Sequence, residues 1–215
     1  MDILEIRCSG GTAKALSGVP EGMEGRHWLR GIFYEAPFLE YLHATYHGGV
    51  WVDGGSALGN HTLFMAKFCD CARVVSIDPI VTSLDIQRRI LVMNGIASKV
   101  DICPYALAAT CGTVTLHKFG PGVGHWQVEA GGELGVGAVT LDSLNLKGVK
   151  VLKLDVEYSE LAALQGARAL LKSQHPAVFT ECNTQQELDA IGKYLQQFGY
   201  GHGKNWHTMH EWVAR

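Results

Sequence analysis

Two periods of hydrophobic positions run through the chain. Val50-Trp51-Val52, Val74-Val75-Ser76-Ile77, Val149-Lys150-Val151-Leu152 and Ala177-Val178-Phe179 are short, nearly continuous apolar runs, as expected of strands buried on both faces. Between them the spacing changes to three and four. Phe38, Tyr41, Leu42 and Thr45 follow Pro37, which suits a first helical turn. Residues 60–68 read as a short apolar helix. Thr82-x-x-Asp85 reads as a variant capping box ahead of an Ile86, Ile90, Met93 stripe that Asn94-Gly95 closes. Ser159 is placed to cap a helix with the stripe Leu164, Ala167, Leu171. Thr184-x-x-Glu187 is a capping box before Leu188, Ile191, Leu195 and Phe198, and Gly199 stops that helix.

Residues 100–107 read as a third strand, and Thr113-Val114-Thr115-Leu116-His117 alternates like a half-exposed one. The tail, 200–215, fits a hairpin. Residues 1–30 are weakly periodic and predict irregular structure or a short strand near 3–7. Strands alternating with helices predict an α/β domain: a mostly parallel sheet covered on both faces, with one antiparallel strand from the closing hairpin.

One stretch resists this pattern. Gly120-Pro121-Gly122-Val123-Gly124-His125-Trp126, continuing to Gly137, is too long for a plain connection and predicts a lid or substrate loop. His125 is a candidate proton acceptor and Trp126 a stacking surface. The competing reading is a surface loop with an incidental histidine, one of ten.

Composition narrows the class. At 215 residues and 47% hydrophobic, the chain can bury one full core. A net charge of −3 leaves no basic footprint for nucleic acid or an anionic membrane; Arg26, Arg30, Arg88 and Arg89 are scattered. No apolar run is long enough to span a bilayer. Six dispersed cysteines form no pair of CxxC knuckles, which argues against structural zinc. With no basic-then-apolar leader in Met1-Asp2-Ile3-Leu4-Glu5, a cytoplasmic location with reduced thiols is expected.

Chemistry concentrates around Asp53-Gly54-Gly55-Ser56-Ala57-Leu58-Gly59-Asn60-His61, a strand end, a glycine turn and a helix start. A second strand ends on Asp78-Pro79. A strand–turn–helix–strand unit with an acid after its second strand is a usual holder of a nucleoside-bearing cofactor. Gly55 is expected to let a ligand approach the main chain, and Gly59 to leave room where helix packs on strand. Asp78 is placed to accept ribose hydroxyls. The glycines do not fit the Gly-x-Gly-x-x-Gly register of a dinucleotide site. Asp53 near the loop would repel a pyrophosphate and suits a cationic ligand such as S-adenosylmethionine (SAM). Tyr105 and Ala106, at the end of the third strand, are candidate adenine contacts, and Tyr34 and Glu35 can close over the cofactor. Residues 1–48 form an N-terminal segment whose helix packs on or caps this site; residues 49–215 form the cofactor-binding domain.

Three segments carry a resemblance. Asp53-Gly54-Gly55-Ser56-Ala57-Leu58-Gly59-Asn60, Asp78-Pro79, and Thr140-Leu141-Asp142-Ser143-Leu144 leading into Lys153-Leu154-Asp155-Val156-Glu157-Tyr158-Ser159-Glu160 are similar, in that order, to the FkbM-type branch of the class I SAM-dependent methyltransferases. The resemblance covers about 34–199. It implies a Rossmann-like fold with a mostly parallel seven-stranded sheet, SAM as cofactor with S-adenosylhomocysteine as product, and O-methylation. Ala57 stands where the family has Asn, and Tyr158 where it has Gly, which points to an altered substrate or slower turnover.

The expected reaction is methyl transfer to a hydroxyl of a small molecule, a sugar or secondary metabolite. Asp155, Glu157 and His125 are candidate bases, with Lys153 steering a hydroxyl or pairing with Asp155. Asp155 is equally a cofactor acceptor. Asp155, Glu181 and Asn183 end neighbouring strands and can offer oxygen ligands to Mg²⁺, though a metal-free site is the favoured reading. A SAM-binding protein with little catalysis, an RNA methyltransferase and a nicotinamide oxidoreductase stay open, as does a homodimer.

Overall fold

The computed structural model describes residues 1–19, 22–120 and 125–215. The chain opens with a hairpin, β1 (Ile3–Cys8) and β2 (Gly11–Leu16), where only a short strand was expected. Its apolar signal is weak because few side chains, Ile6, Ala13, Ala15 and Leu16, are buried. Helix α1 (Met23–Trp28) and α2 (Ala36–Thr45) follow, the latter with Pro37 in its first turn and Phe38, Leu39 and Leu42 buried. Next come β3 (Val50–Gly54), α3 (Asn60–Phe68), β4 (Arg73–Ile77), α4 (Val81–Met93) and β5 (Val100–Cys103).

Helix α4 departs from its sequence reading. It begins one residue before Thr82, and no side chain caps it. Its buried face is Ser83, Leu84, Gln87, Ile90 and Leu91, so Ile86 and Met93 sit at the edge of the stripe. Asp85 instead pairs with Arg88.

Pro104 separates β5 from β6 (Ala106–Leu107), which leaves the main sheet and joins a second one with β7 (Gly112–Lys118), β8 (Trp126–Val128) and β9 (Leu134–Val139). The predicted long loop thus contains β8 and most of β9. Glycines at 135 and 137 hid β9, yet it pairs with β7 over five residues. Residues 121–124 of that stretch lie outside the described residues.

The chain returns through β10 (Val149–Leu154), α5 (Glu160–Gln165), α6 (Arg168–Gln174), β11 (Ala177–Glu181), α7 (Gln185–Gln196), β12 (Tyr200–Trp206) and β13 (Met209–Ala214). The expected single helix after Ser159 is broken at Gly166, where a Cβ would strike the Ala108 carbonyl. Ser159 makes no side-chain cap, whereas the Thr184–Glu187 capping box is present. Asp142 accepts from the Ala169 and Leu170 amides at the start of α6.

The seven-stranded sheet has the order β12-β13-β11-β10-β3-β4-β5, and β13 alone runs against the rest. One core, including Trp51, Phe64 and Phe179, covers one face; Val52, Leu152 and Val178 belong to the core on the other. Adjacent residues on one strand therefore enter opposite cores, which is why these strands read as continuous apolar runs. The strand order reverses between β3 and β10, and that switch point opens a crevice at the carboxyl ends of the strands. Among the described residues, no helix is long and apolar enough to cross a membrane.

Candidate functional site

A cleft, partly open to solvent, occupies that crevice, a usual place for a small-molecule site. Gly55, Ala57, Asp78, Pro79 and Ile80 line one part, Tyr105, Ala106 and Leu107 another, and Asp155, Val156, Glu157 and Ser159 a third. The second sheet closes it with Leu116, Trp126 and Val128.

Asp78 sits at the tip of β4, 7% exposed. One oxygen accepts from the Ala57 amide at 2.9 Å and the other from the Ile80 amide at 2.8 Å. Each oxygen keeps a lone pair for a further donor. Burial pushes the Asp78 carboxyl up to about 6, against the pull of the two amides. Gly55 has a positive φ, and a Cβ there would collide with the Asp155 carbonyl. Its close approach is therefore to the chain itself, as well as to the cleft. At Gly59 the space is taken by the Gln87 side chain of α4.

Asp53 does not meet the cleft. It lies fully buried beneath it, where Thr62 Oγ1 donates to it at 2.6 Å and Lys153 Nζ stands at 2.9 Å. Parallel pairing of β3 with β10 sets Lys153 directly beside Asp53. Lys153 also donates to the Gly55 carbonyl at 3.1 Å and stands 3.6 Å from Asp155. Burial disfavours both charges, but each raises the other's ionisation: Asp53 is held below, and Lys153 above, its ordinary range. The negative charge expected at this strand tip is thus neutralised internally. Lys153, expected to steer a substrate hydroxyl or pair with Asp155, is fully buried, does not line the cleft and is directed at Asp53 and the Gly55 carbonyl, with Asp155 further off. Asp155, whose side chain is 25% exposed, is the member of this set that faces the cleft.

Ser56, Asn60, His61 and Glu35 are likewise absent from the cleft lining. The Ser56 hydroxyl is bonded to Ser76, which bonds Gln87. Asn60 ties the N-terminal segment down: its Oδ1 accepts from Trp28 Nε1 and the Tyr34 amide, and its Nδ2 donates to the Tyr34 carbonyl. His61 Nε2 is 2.9 Å from Glu35, whose carboxyl it holds low in spite of burial. Glu24 accepts from the Leu58 and Asn60 amides at the start of α3. No periodic signal in residues 1–30 marked Glu24. Leu116 was findable as the buried position of an alternating strand.

Acids gather at the ends of β10 and β11. Carboxyl oxygens of Asp155, Glu160 and Glu181 lie within 4.8 Å of one another. Glu160 takes the place that the sequence reading gave to Asn183 beside Asp155 and Glu181; the Asn183 amide donates to Glu181 at 3.0 Å. Burial and the neighbouring Asp155 push Glu181 up to about 8, and the pair shares a hydrogen bond. Burial, then Asp155 and Glu160, lift Glu157 to about 8. Glu160, 3% exposed, accepts from the Val156 amide and is raised by burial to about 7. His125 adjoins the wall, with its ring centroid 5.2 Å from that of Phe119, and does not line the cleft.

The strand order and the crevice at the switch point define a class I methyltransferase fold. The profile of the methyltransferase FkbM domain matches residues 53–201, and the chain belongs to that family. No curated protein matches it. Among solved structures it is similar to the methyltransferase FkbM from Methylobacillus flagellatus KT, at 18% identity and a TM-score of 0.62, over 77% of this chain and 43% of that one. The chain thus spans less than half the length of that relative. It is also similar to a candidate methyltransferase from Streptococcus mutans in complex with S-adenosylhomocysteine, at 10% identity and a TM-score of 0.52, over 82% and 93%. A candidate RNA methyltransferase from Pyrococcus horikoshii matches at 8% identity and a TM-score of 0.53, over 83% and 80%. At such identities the likeness is one of fold.

Proposed function

We propose that the cleft binds SAM and that the protein methylates a hydroxyl of a small-molecule acceptor, leaving S-adenosylhomocysteine. The observation that carries this reading is Asp78 and Asp155, from either side of the switch point, lining one cleft. Asp78 has the lone pairs that ribose hydroxyls need, and the Pro79–Ile80 and Tyr105–Ala106 segments offer flat, mostly apolar surface for a base. SAM, when bound, would supply an electrophilic methyl group, the C–S bonding pair remaining on sulfur. The chain's own residues do the rest. Asp155 presents a carboxyl group to the cleft, which suits a cation there. Glu157, raised toward neutrality, is matched to receive the hydroxyl proton. Positioning supplies much of the remaining barrier reduction.

A nucleic-acid acceptor is the second reading, favoured by the fold shared with the Pyrococcus horikoshii protein. Against it, the described lining residues include no lysine or arginine to hold phosphate. Calorimetry with SAM and S-adenosylhomocysteine tests the first step. Binding is expected, weakened about tenfold or more by Asp78→Ala, the loss of one or two charge-assisted hydrogen bonds. If neither ligand binds, the proposal fails.

A further inference from the structure

We infer that the acceptor is an aromatic alcohol, a phenol, whose ring lies against the second sheet with its hydroxyl toward Asp155 and Glu157. This rests on the methyl-transfer reading above and narrows its substrate class. The two sides of the cleft differ in kind. Side chains from β7 and β8, Leu116, Trp126 and Val128, form an apolar wall with no hydrogen-bonding group but the indole N–H. A sugar ring, polar at nearly every carbon, would leave its hydroxyls unpaired there, whereas a flat apolar ring loses nothing.

The rim continues the same chemistry. Phe119 and Tyr158, both exposed, meet ring to ring at 6.5 Å, and Tyr158 directly follows Glu157. Val128 and Tyr105 in the lining are themselves about two-fifths exposed. Exposed aromatic and apolar side chains gathered at one mouth mark a binding surface rather than chance. The wall is held firmly: Lys118 Nζ sits 5.7 Å from the Trp126 ring centroid, and β8 is paired with β7 over three residues. The same cleft is lined by the carboxyl groups of Asp78, Asp155 and Glu157, which disfavour an anionic acceptor. A phenol, with its ordinary pKa of about 10, also gives up its proton to a carboxylate more readily than an aliphatic alcohol does.

The experiment pairs binding with turnover. Affinities of cresol and of methyl glucoside are measured by calorimetry on protein saturated with S-adenosylhomocysteine, and tritium transfer from labelled SAM is followed to each. Cresol should bind and be methylated, and the glucoside should do neither. Trp126→Ala should weaken cresol binding about tenfold, the scale of one lost aromatic contact, and Trp126→Phe should restore most of it. S-adenosylhomocysteine affinity should change less than about threefold in both variants. Preference for the glucoside, or cresol binding indifferent to Trp126→Ala, would overturn the inference. So would a Trp126→Ala protein that loses the nucleoside and keeps cresol, since the wall would then serve the cofactor. If wild-type protein binds S-adenosylhomocysteine but not cresol, the acceptor class alone is wrong. If it binds neither, the methyl-transfer reading falls first.

Discussion

Lys153 Nζ lies 2.9 Å from Asp53 Oδ1, with both side chains fully buried on neighbouring parallel strands. Neither group reaches solvent, so removing one strands the other. Lys153→Met should cost on the order of 3–5 kcal/mol, the penalty of an unpaired buried charge. The double change Asp53→Leu with Lys153→Met should be more stable than the single Lys153→Met. Urea unfolding of the three proteins measures both. A Lys153→Met protein as stable as wild type would mean that the ion pair is not formed.

The turn after β10 carries two consecutive residues in the left-handed region, Glu157 at φ 49° and Tyr158 at φ 68°. A side chain there costs about 1–2 kcal/mol, which glycine avoids while adding about 0.5–1 kcal/mol of unfolded-chain entropy. Tyr158→Gly should therefore stabilise the protein by about 0.5–1 kcal/mol, seen as a higher Tm in calorimetry. The same variant should weaken binding of an aromatic acceptor, since the Phe119 contact at the rim is lost. A drop in Tm would show that the Tyr158 ring packs for more than it costs. Ala57, at φ 44°, is a parallel case: Ala57→Asn should be neutral or stabilising, because asparagine tolerates this region and keeps the amide that Asp78 accepts.

The parallel strands and most helices were legible because their signals are local. Val52 and Trp51 enter opposite cores, so the whole run is apolar, and Thr184 and Glu187 form their box within four residues. What could not be read depends on pairing across the chain. Asp53 reads as an acid beside a glycine turn; only the register of β3 on β10 reveals Lys153 next to it. Asn60 reads as a cofactor contact, yet its amide is occupied by Trp28 and Tyr34, which weak periodicity left unplaced. Within the second sheet, β6 and β7 fall in stretches that read as strands, whereas β8 and β9 read as loop because one is only three residues long and the other carries glycines at 135 and 137. Gly55, Asp78, Pro79, Tyr105, Ala106, Asp155 and Glu157 were legible and do line the cleft, because each lies at or just past the carboxyl end of a strand, where such folds open their crevice.

Glu157 sets the pH profile if it takes the acceptor proton. Half-buried beside Asp155 and Glu160, it holds its proton up to about 8, and while protonated it cannot accept another. Log kcat/KM should rise with pH and level off past a midpoint near 8. Glu157→Gln should lower kcat by about 10²–10⁴ and abolish that limb. A profile with its midpoint near 8 that survives Glu157→Gln would transfer the role to Glu181, raised to about the same value.

Stability should move the other way with pH. Glu160 titrates near 7 in the fold against an ordinary 4.5, so the folded state holds the proton more tightly than the unfolded chain. The stabilisation is fully present below 4.5 and is lost as pH rises through 7. Asp78, Glu157 and Glu181 are raised too and add to the same slope. Asp53 and Glu35, held low by Lys153 and His61, act oppositely: their contribution is lost as pH falls through their depressed range. The unfolding free energy should thus peak in mildly acidic solution and decline toward pH 9. Glu160→Gln keeps an acceptor for the Val156 amide and removes one titrating group, so it should flatten the decline by about 2–3 kcal/mol. Urea midpoints for the two proteins at pH 5 and pH 9 measure this. Equal slopes would show that Glu160 keeps an ordinary pKa in the fold.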